Sequence, residues 1–254
     1  MVSAIVITAR LGSQRLPRKV LTPLRGQPAL ERLVSRLRRA ELPDLMVLAT
    51  TSLPEDDELA ALGASLGLEV VRGDPEDILA RWLQGTQELG LDLLVTCDGD
   101  DIFCDPGYVD RVIRRHIETG ADYIRCVGLP FGTAPIGISR AGLARVCLAK
   151  RETNTEGQGR FFEDPRLVSS AEVAADPEVQ HATARLTLDL DDDARAMEAI
   201  IAELDDESDP NGFSLAEIVE LLRARPDIVA INDHLQEAYM QRFRERYPPV
   251  SLTL

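Results

Sequence analysis

Two groups of residues in this sequence are arranged in ways that can do chemistry. The first is basic: the segment ITARLGSQRLPRKVL places Arg10, Gly12, Ser13, Arg15 and Lys19 directly after an apolar run at the N-terminus. Arginine can clamp a phosphate with two parallel N–H bonds, and lysine acts as a mobile point charge. Glycine and serine in such a loop can turn backbone N–H groups toward an anion. The set suits the phosphates of a nucleotide. Neither GxGxxG nor GxxxxGK[ST] is present, which counts against dinucleotide-binding and Walker-type sites. The second group is acidic. TCDGDDIFCDP carries Asp98, Asp100, Asp101 and Asp105, and RLTLDLDDDARAME carries Asp189 and Asp191 to Asp193. Like charges crowded together call for a compensating cation, and carboxylates at a strand end suit Mg²⁺, a hard ion that prefers oxygen ligands.

Several of these residues also have ordinary structural duties open to them. A basic loop can simply be solvated. Asp105 precedes Pro106 as a helix N-cap would. Asp191 or Asp192 can cap a helix and complement its dipole. Asp77 and Arg81, in VVRGDPEDILARW, can form an i,i+4 ion pair worth a few tenths of a kcal/mol, roughly. Asp98, Asp100 and Asp189 stand at strand ends, ahead of any helix start, so capping accounts for them less well. His116, His181 and His234 lack partners at metal-ligand spacing and read as structural or surface residues.

The elements that must position these groups alternate along the chain. Apolar runs at 2–8, 45–50, 68–71, 91–97 and 122–127 predict strands. Helical spacing predicts helices over 30–39, from Pro54 through 66, from Pro75 to about 88 with Asp74 as N-cap, and over 106–119. Residues 10–28 read as a long loop. Beyond Gly128 the pattern loosens, with helices expected at 139–150, 194–204 and 234–246, strands at 186–190 and 228–231, and a helix to Arg223 opened by a Ser214/Glu217 capping box. Such alternation implies an α/β fold with a mostly parallel central sheet and helices on both faces. We expect one domain over 1–254, with about 129–185 as a more irregular substrate-facing region. Ligands of open α/β sheets bind beyond the carboxyl ends of the strands, which is where the basic loop and TCDGDD both fall.

Bulk properties narrow the function. The net charge is −15 over 254 residues, which argues against nucleic acid as a partner, since that needs a basic footprint. The basic residues nonetheless concentrate near the N-terminus, so one end can be locally positive. No run reaches the ~18–20 apolar residues that span a bilayer, and the N-terminus lacks a basic leader region, so no membrane association is expected. Cys97, Cys104, Cys126 and Cys147 lack CxxC spacing and read as small hydrophobes. These features suit a cytoplasmic enzyme.

The segments ARLGSQRLPRKVL, RGDPEDILAR, the Gly99-Asp100 pair and RLTLD at 185–189 together resemble the cytidylyltransferase family, which includes the CMP-Kdo and CMP-sialic acid synthetases. They are most similar to its spore-coat polysaccharide branch. The resemblance spans roughly residues 2–231 and is specific at those four places. It implies a Rossmann-like, GT-A-like nucleotidyltransferase fold and Mg²⁺-dependent transfer of CMP from CTP to an acidic sugar or related acceptor, with release of pyrophosphate, in surface polysaccharide or glycoconjugate synthesis. It further implies a nucleotide site of Arg10, Leu11, Gly12, Ser13, Arg15, Lys19, Arg72, Asp77 and Asp98. Arg10, Lys19 and Asp100 would be catalytic, Asp100 and Asp189 would hold the metal, and a homodimer is suggested. The acceptor segment departs from the family, with Gly137 or a neighbour where a glutamate is usual and no E-H-V-T near 152–159. Two alternatives stay open: a glycosyltransferase that consumes a nucleotide sugar, and a catalytically silent nucleotide-binding relative.

Overall fold

The computed structural model describes residues 1–13, 15–206, 208–250 and 252. In chain order, β1 (Ser3–Thr8) leads through a 3-10 turn at Lys19–Leu21 and a small hairpin, β2 (Pro23–Leu24) and β3 (Gln27–Pro28), into α1 (Ala29–Leu37). Then follow β4 (Leu45–Thr51), α2 (Asp57–Ser65), β5 (Glu69–Gly73), α3 (Ile78–Leu89), β6 (Leu93–Asp98), α4 (Pro106–Thr119), β7 (Tyr123–Val127), β8 (Ile136–Ser139), α5 (Arg140–Ala149) and β9 (Ser170–Ala174). Four helices close the chain: α6 (Asp191–Leu204), α7 (Leu215–Ala224), α8 (Pro226–Val229) and α9 (Leu235–Arg246).

The main sheet has seven strands in the order β5-β4-β1-β6-β8-β7-β9. All neighbours are parallel except β8, which runs antiparallel to both β6 and β7. Parallel strands covered on both faces should be apolar throughout, and β1 is: Ala4, Ile5, Val6 and Ile7 are all buried. Ile5 and Ile7 point into a core with Leu33 and Leu37 of α1, Leu59 of α2 and Val109 and Val112 of α4. Ala4 and Val6 point the other way, into a core with Leu79 and Trp82 of α3 and Leu143 and Val146 of α5. A third core, built from α6, α7 and α8, wraps Ile102, Phe103, Leu186 and Leu188. It brings the chain's last third against the loop that follows β6.

Several expectations are corrected. Residues 186–190 form no strand: Leu186 N–H donates to Phe131 O at 2.7 Å and Leu188 N–H to Asp100 O at 2.9 Å, outside the sheet. The alternating Leu186 and Leu188 that suggested a strand instead bury in the third core. Residues 228–231 begin within α8, whose Pro226 starts a short helix with Ile228 inward. α3 begins at Ile78, and its N-cap is Asp77, not Asp74, whose carboxylate closes the preceding turn through the Glu76 and Asp77 N–H groups. The long loop at 10–28 holds the 3-10 turn and hairpin. The 129–185 region is more regular than expected, since it supplies β8 and β9 to the main sheet. The four cysteines are free, in keeping with their reading as small hydrophobes.

Gly132 lets the 185–189 segment lie close. Its φ is +88°, and an added Cβ would sit 2.6 Å from the Leu186 carbonyl carbon and from Thr187 N. Both contacts are backbone and cannot swing away. Gly132→Ala should therefore lose about 2–4 kcal/mol of unfolding free energy in urea melts, combining left-handed strain with overpacking.

Candidate active site

Strand register sets the level of the site. Thr8 of β1 pairs with Ala49 and with Asp98, and Thr51 pairs with Gly73, so the carboxyl ends of β1, β4, β5 and β6 form one edge. The loop after β1 is pinned there. Leu11 is buried, and its N–H donates to Asp56 Oδ1 at 2.7 Å; the fully buried Asp56 also accepts the Thr51 hydroxyl. Ser13 N–H and Arg18 N–H both donate to Leu11 O, at 2.8 and 3.2 Å. The amides of Leu11 and Ser13 are thus spent within the protein, against the expectation that Ser13 offers its N–H to an anion. Gly12 packs so closely that a Cβ would lie 2.8 Å from Glu55 Oε1.

Lys19 is at the centre. Buried Val20 anchors the 3-10 turn, and the Lys19 ammonium bonds to Asp100 Oδ2 and, at 2.8 Å, to Asp189 Oδ1. Arg15 Nη2 reaches the same Asp189 Oδ1 at 3.1 Å, and Arg185 Nη2 approaches Asp189 Oδ2 at 3.4 Å. Burial alone would lower the Lys19 pKa, but Asp100 and Asp189 outweigh it and hold the ammonium above its usual range. Burial likewise works to raise the Asp189 carboxyl, and Lys19, Arg15 and Arg185 together hold it below the usual range. Three segments far apart in sequence therefore meet on one cation.

Around this triad the acids are under strain. Partial loss of water and the nearby Asp100 push the Asp98 carboxyl up to about 7. Gln158 Nε2 lies 3.4 Å from Asp98 Oδ1. Asp101 is driven well up by burial and by Asp100 and Asp98. Asp105, by contrast, does what a cap should, accepting Tyr108 N–H at 3.0 Å.

The remaining candidates divide. Arg10 stands at the mouth, bonded to Glu156 and, at 3.2 Å, to Pro75 O. Glu156 also accepts from Tyr247 and, at 3.1 Å, from Arg246, so the end of α9 shares a carboxylate with Arg10 of the β1 loop. Arg72 is turned to structural work, bonding Thr51 O at 2.9 Å, Leu53 O at 2.8 Å and Asp57 at 2.7 Å. Asp77 accepts from Ala80 N–H, Thr155 and Lys150 and is buried. The Asp77–Arg81 pair that the spacing allows does not form; Arg81 bonds to the carbonyls of Asp74 and Pro75. Both Arg72 and Asp77 lie at the correct sheet edge but are engaged with protein. Sequence reasoning missed Glu156, Gln158 and Tyr239, whose ring lies 5.5 Å from the Arg15 guanidinium. The ETNTEGQG segment offered a signal for the first two in its polar density; α9 offered none for the third.

Among the described residues, no three His, Cys, Asp or Glu side chains converge as a metal cage. Mg²⁺ does not require one, since it is usually held by one or two carboxylates plus substrate phosphates and waters. Asp100 and Asp189, already turned toward a shared cation, fit that donor set. The histidines stay outside: His116 Nδ1 lies 2.9 Å from Ala121 O, and His181 Nδ1 accepts Ala184 N–H.

A family model described as Cytidylyltransferase matches residues 4–141, more than half of the sequence and inclusive of the basic loop and Asp100. The chain belongs to the cytidylyltransferase family. Its enzymatic class follows. The spore coat polysaccharide biosynthesis protein SpsF of Bacillus subtilis is 28% identical over 229 residues, covering 87% of this chain and 94% of SpsF. The 3-deoxy-manno-octulosonate cytidylyltransferase of Chlorobaculum parvum is 32% identical over 118 residues, 46% of each chain. Among solved structures, a cytidylyltransferase from Leptospira borgpetersenii superposes with a TM-score of 0.82 at 21% identity, covering 90% of this chain and 97% of that one. A CMP:2-keto-3-deoxy-manno-octonic acid synthetase complexed with CTP gives 0.62 at 14% identity, covering 80% and 99%. The nucleotidyltransferase-type, mostly parallel sheet is the fold shared with both.

The raised Asp98 carboxyl sets a pH dependence. Its folded pKa of about 7 exceeds the ordinary 3.8, so the folded protein holds a proton that the unfolded chain releases. The stability it confers is full at low pH and falls as pH rises from about 4 to 7. In EDTA, Asp98→Asn should be more stable than the parent at about pH 8, with the difference shrinking toward about pH 5, as measured by urea melts.

Proposed function

We propose that this enzyme transfers CMP from CTP to an acidic sugar or related acceptor, with Mg²⁺ as cofactor and pyrophosphate as the other product, in the synthesis of surface polysaccharide or glycoconjugate. The observation that carries the reading is the convergence of Asp100, Asp189, Lys19 and Arg15 at the carboxyl edge of the sheet. The names of SpsF and of the manno-octulosonate cytidylyltransferases support the polysaccharide setting and the acidic acceptor.

An acceptor oxygen attacks the α-phosphorus and gives up its proton to solvent, the bond from that phosphorus to the bridging oxygen breaks, and pyrophosphate departs with the electron pair. The chemistry demands little covalent help and much placement of charge. Lys19 holds a full positive charge at the point where Asp100 and Asp189 meet, and offsets negative charge growing on the α-phosphate. Arg10 and Arg15, both partly exposed at the mouth, are placed to grip the outer phosphates once Glu156 and Asp189 yield them. Mg²⁺, bound through Asp100 and Asp189, would supply Lewis-acid neutralisation of the same oxygens. Tyr239 and Phe131, with ring centroids 5.1 Å apart, wall the far side and keep water from Arg185.

The test is pyrophosphate release from each of the four ribonucleoside triphosphates with Mg²⁺ and a pool of acidic sugars. Release should require CTP and an acceptor and should stop in EDTA. Lys19→Met and Asp100→Asn should each lower kcat/KM on the order of 10²–10³-fold, the scale of losing one preorganised charge in a desolvated site. Full activity in both variants, or release of nucleoside mono- or diphosphate from a nucleotide sugar instead, would sink the reading.

A further inference from the structure

Asp193 lies one helical turn beyond Asp189 and is fully buried. Its Oδ1 accepts from Arg185 Nε and from Asn232 Nδ2, each at 2.8 Å. Its Oδ2 accepts from Arg185 Nη2 at 3.1 Å and from the Asp189 and Leu190 N–H groups, each at 3.0 Å. A carboxylate has about four lone-pair positions, so these bonds leave nothing for a metal. Asp193 is an anchor. What it anchors is Arg185, a guanidinium only 2% exposed, whose Nη2 also lies 3.4 Å from Asp189 Oδ2.

Two further residues fix that arginine from outside α6. Asn232, buried in the turn after α8, uses Nδ2 twice, on Asp193 Oδ1 and on the Arg185 carbonyl at 3.0 Å. Gln236, in the first turn of α9, accepts from Arg185 Nη1 at 3.0 Å. Arg185 is thereby held at both ends of its guanidinium and at its own backbone. The Asp189 carboxylate is then tied from behind through its N–H and Oδ2, leaving Oδ1 toward Lys19 and Arg15. We infer that Asn232 and Gln236 are positioning residues for the reaction: acting through Asp193 and Arg185, they fix the direction in which Asp189 presents Oδ1. Partners that orient a metal-ligating carboxylate typically matter about as much to metal affinity as 10–100-fold.

The inference rests on Asp189 being a metal ligand, and the experiment separates the two. Mn²⁺ is titrated into enzyme with saturating CTP and followed by its electron paramagnetic resonance signal, while CTP binding in EDTA is measured by equilibrium dialysis. Asn232→Asp keeps the side chain's shape but turns a donor toward Asp193 into a second carboxylate. It should weaken Mn²⁺ on the order of 10–100-fold while metal-free CTP binding stays within about twofold. Gln236→Ala, at a half-buried site that folding tolerates, should shift Mn²⁺ in the same direction by less. Mn²⁺ affinity unchanged in folded Gln236→Ala and Asn232→Asp overturns the inference, and so does a parallel loss of CTP binding in EDTA. A parent enzyme that binds CTP but no Mn²⁺ overturns the reading of Asp189 itself.

Discussion

The site hangs on one buried ammonium. Lys19 is the cation that lets Asp100 and Asp189 approach each other, and without it two carboxylates would be left facing each other in a desolvated recess. Removing one partner of a buried pair strands the other, at a cost of several kcal/mol, roughly 3–5. Each contributor comes from a different part of the fold: the turn after β1, the loop after β6 and the segment before α6. The triad therefore works as a clasp as well as a charge array. It closes only when the sheet edge and the third core are both in place, which ties the chemistry to the packing of α6, α7 and α8.

The geometry also bears on how an acidic protein would handle the anionic substrate proposed for it. A charge of −15 is spread over the chain, yet Arg10, Arg15, Arg18 and Lys19 make the β1 loop locally cationic. In the free enzyme these cations are neutralised locally: Arg10 by Glu156, Lys19 by Asp100 and Asp189, Arg15 by Asp189. Under the proposed function, nucleotide binding is an exchange of carboxylates for phosphates on the same guanidinium and ammonium groups. Charge exchanged in this way discriminates among anions by geometry more than by attraction at a distance.

Much of this was legible in the residues. The alternation of apolar runs and helical spacing gave the parallel sheet and put Lys19 and Asp100 at the carboxyl ends of its strands, while Asp189 was joined to them only by the resemblance, since the strand expected to end at it does not form. The Asp105 cap and the Ser214/Glu217 capping box followed local rules and formed as local rules require. What was not legible depends on contacts between distant segments. Leu186 and Leu188 alternate as a strand does, but the third core claims them. Ser13 sits where an anion-binding amide could be, yet Leu11 O takes its N–H. Arg72 matched the family's pattern but is consumed by Thr51, Leu53 and Asp57, because β5 ends beside the turn that opens α2. Glu156 and Tyr239 gained their places through contacts with α9 and its C-terminal end, whose weakly patterned, mostly polar sequence says nothing about which surface it meets.

The spacing of the clasp along the chain has a consequence for how the protein is made. Lys19 and Asp189 are 170 positions apart, and Lys19 and Asp100 are 81 apart. At a synthesis rate of about 5–20 residues per second, Lys19 waits on the order of ten seconds or more for its second partner to leave the ribosome. Through that interval the β1 loop and Asp100 can meet, but Asp189 and the three helices that hold it are missing. A nascent or truncated chain can thus build the first strands of the sheet without assembling a competent centre. The clasp is a late product of folding, complete only when segments 170 positions apart meet.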